Sequence, residues 1–456
     1  MKKLLLLPLI AINLLATAQT TTIPDANFEQ ALITLGYDNV IDGEVLTTNI
    51  SGVTSLDVSA LNISDLTGIE DFTALTYLAC HNNQLSNLDL SQNTALENLY
   101  CHRNGIISLD VSQNTALINL DCNRNEMTSL VLPQNTTLTH LNCSDNDITS
   151  IDVTQNTALI DLRCEINDLT SIDVTQNTAL THLYCWGNYQ LTSLDVTQNT
   201  TLAYLSCHSN QITSIDVSQN TALTYLSCAS NPLTSIDVSQ NTALTILYCG
   251  STQLTSLDVT QNTALTELFC FLNQLTSLDI TQNTALAYLK CGYNQLTNLD
   301  VTQNTALFEL VCEYNNLFCL NVKNGNNSNF TSFHATDNPS LTCIEVDNVA
   351  WSTANWTDID PQTSFSTNCN NSCSATSINK TASNTFELYP NPTTSTITLN
   401  NLQLGDEVSV YNTLGQRVYS SQVSAVTLSI NLSELGNNGI YFVRVNNLSE
   451  SVLLSR

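Results

Sequence analysis

A cysteine recurs at a fixed interval through the middle of this 456-residue chain. Consecutive cysteines are 21 residues apart, except for one step of 22 residues that an inserted residue near Tyr189 explains. The members of this series are Cys80, Cys101, Cys122, Cys143, Cys164, Cys185, Cys207, Cys228, Cys249, Cys270, Cys291 and Cys312. A strict period of this length indicates that every repeat adopts the same local structure and stacks on its neighbours.

The sequence around each cysteine follows L-x-x-L-x-C-x-x-N-x-L-T-S-L-D-V-T-Q-N-T-A. A period of roughly 20 to 29 residues with this leucine and asparagine spacing is typical of leucine-rich repeats, in which one period forms one coil of a solenoid. We therefore predict a mainly β fold, a right-handed solenoid of 21-residue coils. Leu56 opens the array, and Ala335 closes it in the cysteine position, which gives fourteen rungs.

The repeated cysteine occupies the position of an inward-pointing leucine. Neighbouring coils lie roughly 4.8 Å apart, so we expect the thiols to stack in the core as small hydrophobic groups. Disulfides between adjacent rungs are disfavoured because parallel side chains cannot easily reach the required dihedral angle. A straight row also lacks the converging ligands that a metal needs.

Four further cysteines fall outside this series, and we predict that they form two disulfides. Cys319 and Cys343 share a column of consecutive coils, so a bridge between them is feasible. Three pairings remain open at this stage. The four candidates are Cys319, Cys343, Cys369 and Cys373.

Each repeat also carries two asparagines, one three residues after the cysteine and one in the Q-N-T segment. Thr252 is the departure from the first column. We expect both amides to bond backbone groups of their own turn and of a neighbouring coil, where those groups would otherwise be buried without partners.

The first residues and the net charge limit the location and the partners of the protein. Residues 1–18 combine two lysines, a short apolar run and a small-residue cleavage site, as a secretory signal peptide does. The apolar run is too short to cross a bilayer, and no membrane span is predicted. A formal charge of −29 disfavours nucleic acid and anionic lipid as partners.

Composition divides the chain into segments. A helix with Asp25 as its N-cap and Gly36 as its stop is expected to cap the solenoid. Its predicted apolar face consists of Phe28, Ala31, Leu32 and Leu35. The predicted segments are the signal peptide 1–18, the N-terminal cap 19–52, the solenoid 53–346, a cysteine-containing cap 347–373, a Ser/Thr/Asn-rich linker 374–385 and a small β-sandwich 386–456.

The repeat array resembles the internalin family of bacterial surface proteins, and most closely the internalin J type. The likeness covers about residues 20 to 370 and rests on the recurring cysteine motif. It implies a core cysteine ladder, a helical N-terminal cap and a role outside the cell.

Residues 386–456 resemble the type A C-terminal sorting domain of type IX secretion substrates. The segments that carry the resemblance are YPNP from Tyr389, VYNTLG from Val410, LSEL from Leu432 and GIYFVRV from Gly439. The likeness implies interaction with the type IX secretion machinery, translocation through the periplasm and outer membrane, and removal of the domain. The protein would then be released or attached at the cell surface.

Variation among the repeats is confined to the columns around the cysteine, whereas the segment LTSLDVTQNTA is nearly uniform. Tyr, Trp and Arg are frequent anchors at interfaces, and solenoids bind ligands along extended concave surfaces. We predict a ligand-binding face for a protein or glycan. Its candidate residues are Tyr77, Tyr100, Arg103, Arg124, Arg163, Tyr184, Trp186, Tyr204, Tyr225, Tyr248, Phe269, Phe271, Tyr288 and Lys290. The alternative is neutral drift on a solvated sheet.

Metal binding has weaker support in the sequence, and no cofactor is predicted. His140, Asp161 and His182 share one column, and His81 neighbours His102, but a flat column supplies poor tetrahedral geometry. Ten aspartates from Asp89 to Asp300 form a row on the uniform side, interrupted by Val131. Calcium is a candidate to neutralise some of this row, and solvated carboxylates are the simpler interpretation.

The chain contains no G-x-S-x-G, H-E-x-x-H or phosphate-loop motif, so we do not expect an enzyme. The main hypothesis is an exported recognition or adhesion protein. The alternative is a structural or surface-layer solenoid without a specific ligand, with ice binding by the threonine rows as a remote variant.

Overall fold

A computed structural model describes residues 19–132 and 135–369, and, towards the C-terminus, residues 387–389, 393, 395–400, 402, 404–412, 416–434, 439–445 and 448–454. The chain divides into two units, Met1–Cys373 and Ser374–Arg456. The predicted signal peptide and linker lie outside the described residues.

Fourteen short parallel strands form one sheet in the described part of the first unit, one strand per coil, which confirms the predicted fourteen rungs. Pairing is in register, so that Leu162 lies opposite Leu183 and Leu205 opposite Leu226. The strands are Ser55–Asp57, Tyr77–Ala79, Asn98–Tyr100, Asn119–Asp121, His140–Asn142, Asp161–Arg163, His182–Tyr184, Tyr204–Ser206, Tyr225–Ser227, Ile246–Tyr248, Glu267–Phe269, Tyr288–Lys290, Glu309–Val311 and Ser332–His334.

Further parallel strands lie on the uniform side of some coils. One pair consists of Ser108–Asp110 and Ser129–Val131. A second group consists of Asn298–Asp300, Cys319–Asn321, Cys343–Glu345 and Ser364–Ser366. Elsewhere the uniform side is built from hydrogen-bonded turns.

The core confirms the expected roles of leucine and cysteine. The twelve repeat cysteines are free thiols, and all are buried within the described coils. Burial raises the pKa of these thiols, to about 12 for Cys143 and Cys228. They pack with the leucine columns in one continuous hydrophobic core.

Both asparagine columns connect adjacent coils through their side-chain amides. Asn231 donates from Nδ2 to the carbonyls of Cys207 and Cys228, each at 3.0 Å, and its Oδ1 accepts from the Ile212 amide at 3.0 Å. In the Q-N-T column, Asn177 donates to the carbonyls of Val153 and Asn156 at 2.9 and 2.8 Å. The prediction that these asparagines bond backbone groups is confirmed.

The 22-residue coil absorbs its extra residue in the turn after the cysteine. Asn188 still donates to the carbonyls of Cys164 and Cys185, at 3.1 and 3.0 Å. The strand pairing of His182 with Tyr204 on the next coil is unbroken. Tyr189 protrudes from this turn with 69% of its surface exposed.

The N-terminal cap consists of strand Thr20–Thr22, helix α1 (Ala26–Leu35), strand Glu44–Leu46 and helix α2 (Thr47–Ile50). Asp25 caps α1 by accepting from the amides of Asn27 and Phe28, and Gly36 ends it in the left-handed conformation at φ 84°. The placement of Leu35 on the buried face was wrong. Leu35 is 45% exposed because it lies in the last helical turn, beside Leu61 at a shallow surface cavity.

Helix α3 (Val349–Asn355) belongs to the C-terminal cap. Trp356 follows it and stacks on Phe333 at 4.1 Å between ring centroids, which covers the last coil. Cys343 pairs with Cys369 across a Cα separation of 5.7 Å, so the feasible bridge to Cys319 within one column is not formed. Cys369 reaches this position after the strand Ser364–Ser366, where its amide donates to the Glu345 carboxylate at 3.0 Å. Cys319 is also disulfide-bonded, and Cys373 lies outside the described residues.

The second unit is a small antiparallel β-sandwich with its own core, as predicted. One sheet has the order Glu387–Tyr389, Thr396–Asn400 and Leu428–Asn431. The other has the order Arg417–Gln422, Glu407–Tyr411, Gly439–Val445 and Leu448–Leu454. No helix among the described residues combines the length and apolar character needed to cross a membrane.

Candidate ligand-binding face

The outward side chains of the fourteen strands form the surface that we call the strand face. In each strand the central residue points into the core while its two neighbours point outward, because side chains alternate along a strand. Leu162, for example, is buried between the outward residues Asp161 and Arg163. The backbone bonds of these strands are made within the sheet, so recognition on this face depends on side chains.

A row of aromatic rings in contact with one another, which we call the aromatic strip, crosses five consecutive coils of the strand face. Successive ring centroids are 4.7, 4.1, 5.7 and 4.5 Å apart. The strip consists of Tyr184, Tyr204, Tyr225, Tyr248 and Phe269. The planes of Tyr204 and Tyr225 differ by 2°, so these two rings cover each other's faces.

A cation lies against each end of the aromatic strip. The Arg163 guanidinium is 4.8 Å from the Tyr184 centroid, and the Lys290 ammonium is 4.7 Å from that of Phe269. Each cation also binds a carboxylate at 3.0 Å, Arg163 to Asp161 and Lys290 to Glu309. With its two cations the strip spans seven consecutive coils, roughly 29 Å at the usual strand spacing.

Two phenols of the strip, those of Tyr204 and Tyr248, have a pKa above the usual value for tyrosine. Burial raises the pKa of Tyr204 and Tyr248, and the Glu267 carboxylate, which accepts from the Tyr248 hydroxyl at 2.5 Å, raises the latter further. These hydroxyls therefore remain hydrogen-bond donors at physiological pH.

The aromatic residues that follow the cysteines form separate contacts. Trp186 stacks on His208 at 4.9 Å rather than joining Tyr184. Phe271 packs against Gly250, where a β-carbon would come within 2.9 Å of its ring. The two aromatics that flank one cysteine thus contribute to different rows of the surface.

The other predicted face residues lie outside the aromatic strip. Tyr77 and Tyr100 form a pair at 5.6 Å near the N-terminal end, and Tyr288 meets Phe308 edge-on at 4.5 Å. A cavity of about 240 Å³ lies between the first pair and the strip, with Arg163 in its lining.

The second residue after each cysteine adopts the left-handed conformation, which the sequence did not lead us to expect. Arg103 and Arg124 have φ values of 55° and 52°, and bulky residues such as Ile166, Tyr293 and Tyr314 share this conformation. A left-handed residue other than glycine costs roughly 1–2 kcal/mol. This turn therefore keeps side chains at the edge of the strand face, where Tyr293 and Tyr314 stack at 4.3 Å.

The column of His140, Asp161 and His182 is in register, as predicted. Both Asp161 oxygens accept from Arg163 at 3.0 Å, so a metal ion there would have to displace the guanidinium. His81 and His102 stack face to face at 4.4 Å. Sequence reasoning missed a different cluster, Glu313, His334 and Asp358, because Asp358 comes from the cap and follows no repeat pattern.

The uniform face is built from repeated turns. Asp173 accepts from the Thr175 hydroxyl at 2.7 Å and from its amide at 2.9 Å, and the same pair recurs at Asp195 and Thr197. These bonds from Thr175 hold the pKa of Asp173 below its usual value. The aspartate row thus closes turns, and calcium binding by it stays a proposal.

Comparison with known proteins matches residues 387–454 to the family described as the secretion system C-terminal sorting domain. Over 70 residues, 15% of this chain, the sequence is 37% identical to internalin J of Listeria monocytogenes serotype 4b (strain F2365), and that stretch is 8% of internalin J. The fold is similar to the functional domain of InlJ from Listeria monocytogenes, which includes a cysteine ladder. Its TM-score is 0.68 at 30% identity, covering 96% of this chain and 99% of that domain. The internalin InlF from L. monocytogenes str. 4b F2365 shares the fold with a TM-score of 0.57 at 23% identity, covering 74% and 95%.

Stacked parallel coils with buried leucine, cysteine and asparagine columns define a leucine-rich repeat protein. The chain belongs to the internalin family, in the group that carries a cysteine ladder. Its second unit is a type IX sorting domain, so the protein is an exported leucine-rich repeat protein, secreted or held at the cell surface.

Proposed function

We propose that the protein is a recognition or adhesion protein without enzymatic activity, and that it binds its ligand on the strand face through the aromatic strip. The observation that carries this proposal is the continuity of the strip between Arg163 and Lys290. Half-buried tyrosines and an arginine are the side chains that most often dominate binding energy at interfaces.

The stacking geometry favours a polypeptide ligand over a glycan. Sugars pack on the exposed faces of aromatic rings, whereas Tyr204 and Tyr225 cover each other's faces. Ring edges and phenol groups instead suit the mixed polar and apolar surface of a protein. A chain of formal charge −29 also steers basic partners towards it.

Substitution of the strip in the full secreted chain tests this proposal. Immobilised extracellular proteins and a glycan array serve as probes. Replacing Tyr204, Tyr225, Tyr248 and Phe269 with Ser should weaken saturable binding by about 2 kcal/mol or more. The matched control replaces Thr197, Thr260 and Thr281 with Ser, which keeps the hydroxyls on the uniform face and removes three of its methyl groups.

Three outcomes would contradict the proposal. Saturable binding to glycans alone would make the ligand a carbohydrate. Loss of function in the threonine control but not in the strip variant would make the uniform face the working side, as a surface-layer or ice-binding protein requires. No saturable ligand in either screen would favour a structural role.

The route to the surface is tested separately by removing residues 386–456. The first unit has its own continuous core, so the truncated chain should fold and remain in the periplasm. Normal surface delivery of this variant, measured by cell fractionation, would refute the dependence of export on the sorting domain.

A further inference from the structure

We propose that the C-terminal end of the solenoid holds a divalent transition-metal ion, with Zn²⁺ as the chemical type, on Glu313, His334 and Asp358. One oxygen of each carboxylate and one imidazole nitrogen lie within 4.8 Å of one another. Among the described residues, Glu313, His334 and Asp358 are the one group of three His, Cys, Asp or Glu side chains whose ligand atoms come this close together.

Backbone bonds fix the relative positions of the three residues. Val311 lies opposite His334 in the strand pairing, and the Cys312 amide donates to the His334 carbonyl at 2.9 Å, which places Glu313 beside the histidine. The Ala335 amide donates to the Asp358 carbonyl at 3.0 Å. Two coils and the cap therefore present one ligand each without a long flexible loop.

The donor set suits a borderline metal ion. One imidazole and two carboxylates are ligands of Zn²⁺ and related ions, and three protein ligands leave a coordination position open. His334 Nδ1 already contacts the Asp358 carboxylate. Two carboxylates this close repel each other, and a dication between them converts that repulsion into attraction.

The surroundings distinguish this cluster from the other histidines. Asp161 is paired with Arg163. Burial lowers the pKa of His102, the Asp121 carboxylate 3.7 Å away opposes this shift, and Arg103 and Arg124 add smaller lowering effects. In the described part of the chain, neither Glu313 nor Asp358 forms an ion pair with Lys or Arg. A metal cation can therefore approach the cluster without displacing a lysine or an arginine side chain.

A metal ion at this site would stabilise the C-terminal end of the solenoid by cross-linking its last coils to the cap. Terminal coils of repeat proteins lack a neighbour on one side and depend on a cap. An ion bound to Glu313, His334 and Asp358 would link the last two coils to the segment after α3. It would supplement the Cys343–Cys369 disulfide at the same end.

The test uses the full secreted chain with its disulfides intact, treated with a chelator and then titrated with ZnCl₂ alone by calorimetry. We expect one saturable site and a higher melting temperature with zinc. Glu313→Gln and His334→Asn should each weaken zinc binding at least tenfold and abolish the rise in melting temperature. Glu309→Gln, which removes the same charge from the same coil but no ligand, should stay within twofold of the parent.

Absence of saturable zinc binding would overturn the proposal, as would binding that neither variant weakens. Circular dichroism establishes that each variant is folded. If His334→Asn fails to fold, Glu313→Gln decides alone, because its side chain is only partly buried and its removal leaves the Val311–His334 pairing intact.

Discussion

The framework of the coils and their strand face follow different rules, although both belong to the same 21 residues. We use framework for the cysteine and asparagine columns and the Asp–Thr turns. Framework side chains bond or pack with identical partners in successive coils, as Asn231 and Asn177 do. Strand-face side chains pair with whatever the next coil offers, a ring, a cation or a carboxylate. One part of each repeat is thus committed to stability, and the other is free to vary for recognition.

The largest expected effect in the comparison of framework and strand face is the loss of stability at high pH caused by the buried framework thiols. Burial raises the pKa of Cys143 and Cys228 to about 12 from a usual 9.0. Because the folded state holds these protons more tightly, their contribution to stability is complete below pH 9. It is lost as the pH rises towards 12. We expect cooperative alkaline unfolding in that window, followed by circular dichroism.

Thiol labelling provides the control for this prediction. The twelve repeat cysteines should resist a thiol reagent at pH 7 and react together once the chain is denatured without a reductant. Labelling of several of them in the folded protein, detected by mass spectrometry, would show that the ladder is not sealed in the core.

Removal of one framework amide should cause the next largest effect. Asn231→Ala leaves the Cys228 carbonyl and the Ile212 amide unpaired, whereas the Cys207 carbonyl still accepts from Asn210 at 2.8 Å. It should lower the free energy of unfolding by about 2 kcal/mol at roughly 1 kcal/mol per unpaired group. The control Gln240→Ala alters an exposed residue of the same coil and should change the free energy of unfolding by less than about 0.5 kcal/mol. If urea unfolding gave equal losses of unfolding free energy for Asn231→Ala and Gln240→Ala, the distinction between framework and surface residues would be contradicted.

A strip residue should matter less for folding than a framework residue. Tyr225→Ser removes a stacked ring from between Tyr204 and Tyr248 and should cost about 1 kcal/mol of stability. Thermal unfolding measures this effect. A loss as large as that of Asn231→Ala would mean that the strip is part of the core, and its link to ligand binding would weaken.

The smallest effect is expected on the uniform face. Thr175→Val removes the hydroxyl bond to Asp173 but keeps the amide bond, and should cost less than about 0.5 kcal/mol at this exposed position. The lowered pKa of Asp173 adds stability above its usual value of 3.8 that disappears as the pH falls further. Acid titration of the variant should therefore shift its unfolding slightly towards higher pH.

Periodicity made the solenoid predictable, because the same physical requirement appears a dozen times in the sequence. The cysteine position, the asparagine bonds and the helix ends at Asp25 and Gly36 follow from local pattern and capping chemistry. The exposure of Leu35 does not, since it depends on where the covering coil ends. The strip depends on pairing between different columns, as when Tyr184 meets Tyr204, and the Glu313 cluster depends on a cap without any repeat.

The 22-residue coil shows that the fold can accept a change of length without a change of register. Asn188 still bonds the carbonyls of Cys164 and Cys185, and the added residue is accommodated in the turn at the exposed Tyr189. An epitope or a fluorophore could be grafted at this turn with little strain on the strands. Insertions in the same turn of other coils could likewise add loops beside the strand face without changing the strand register.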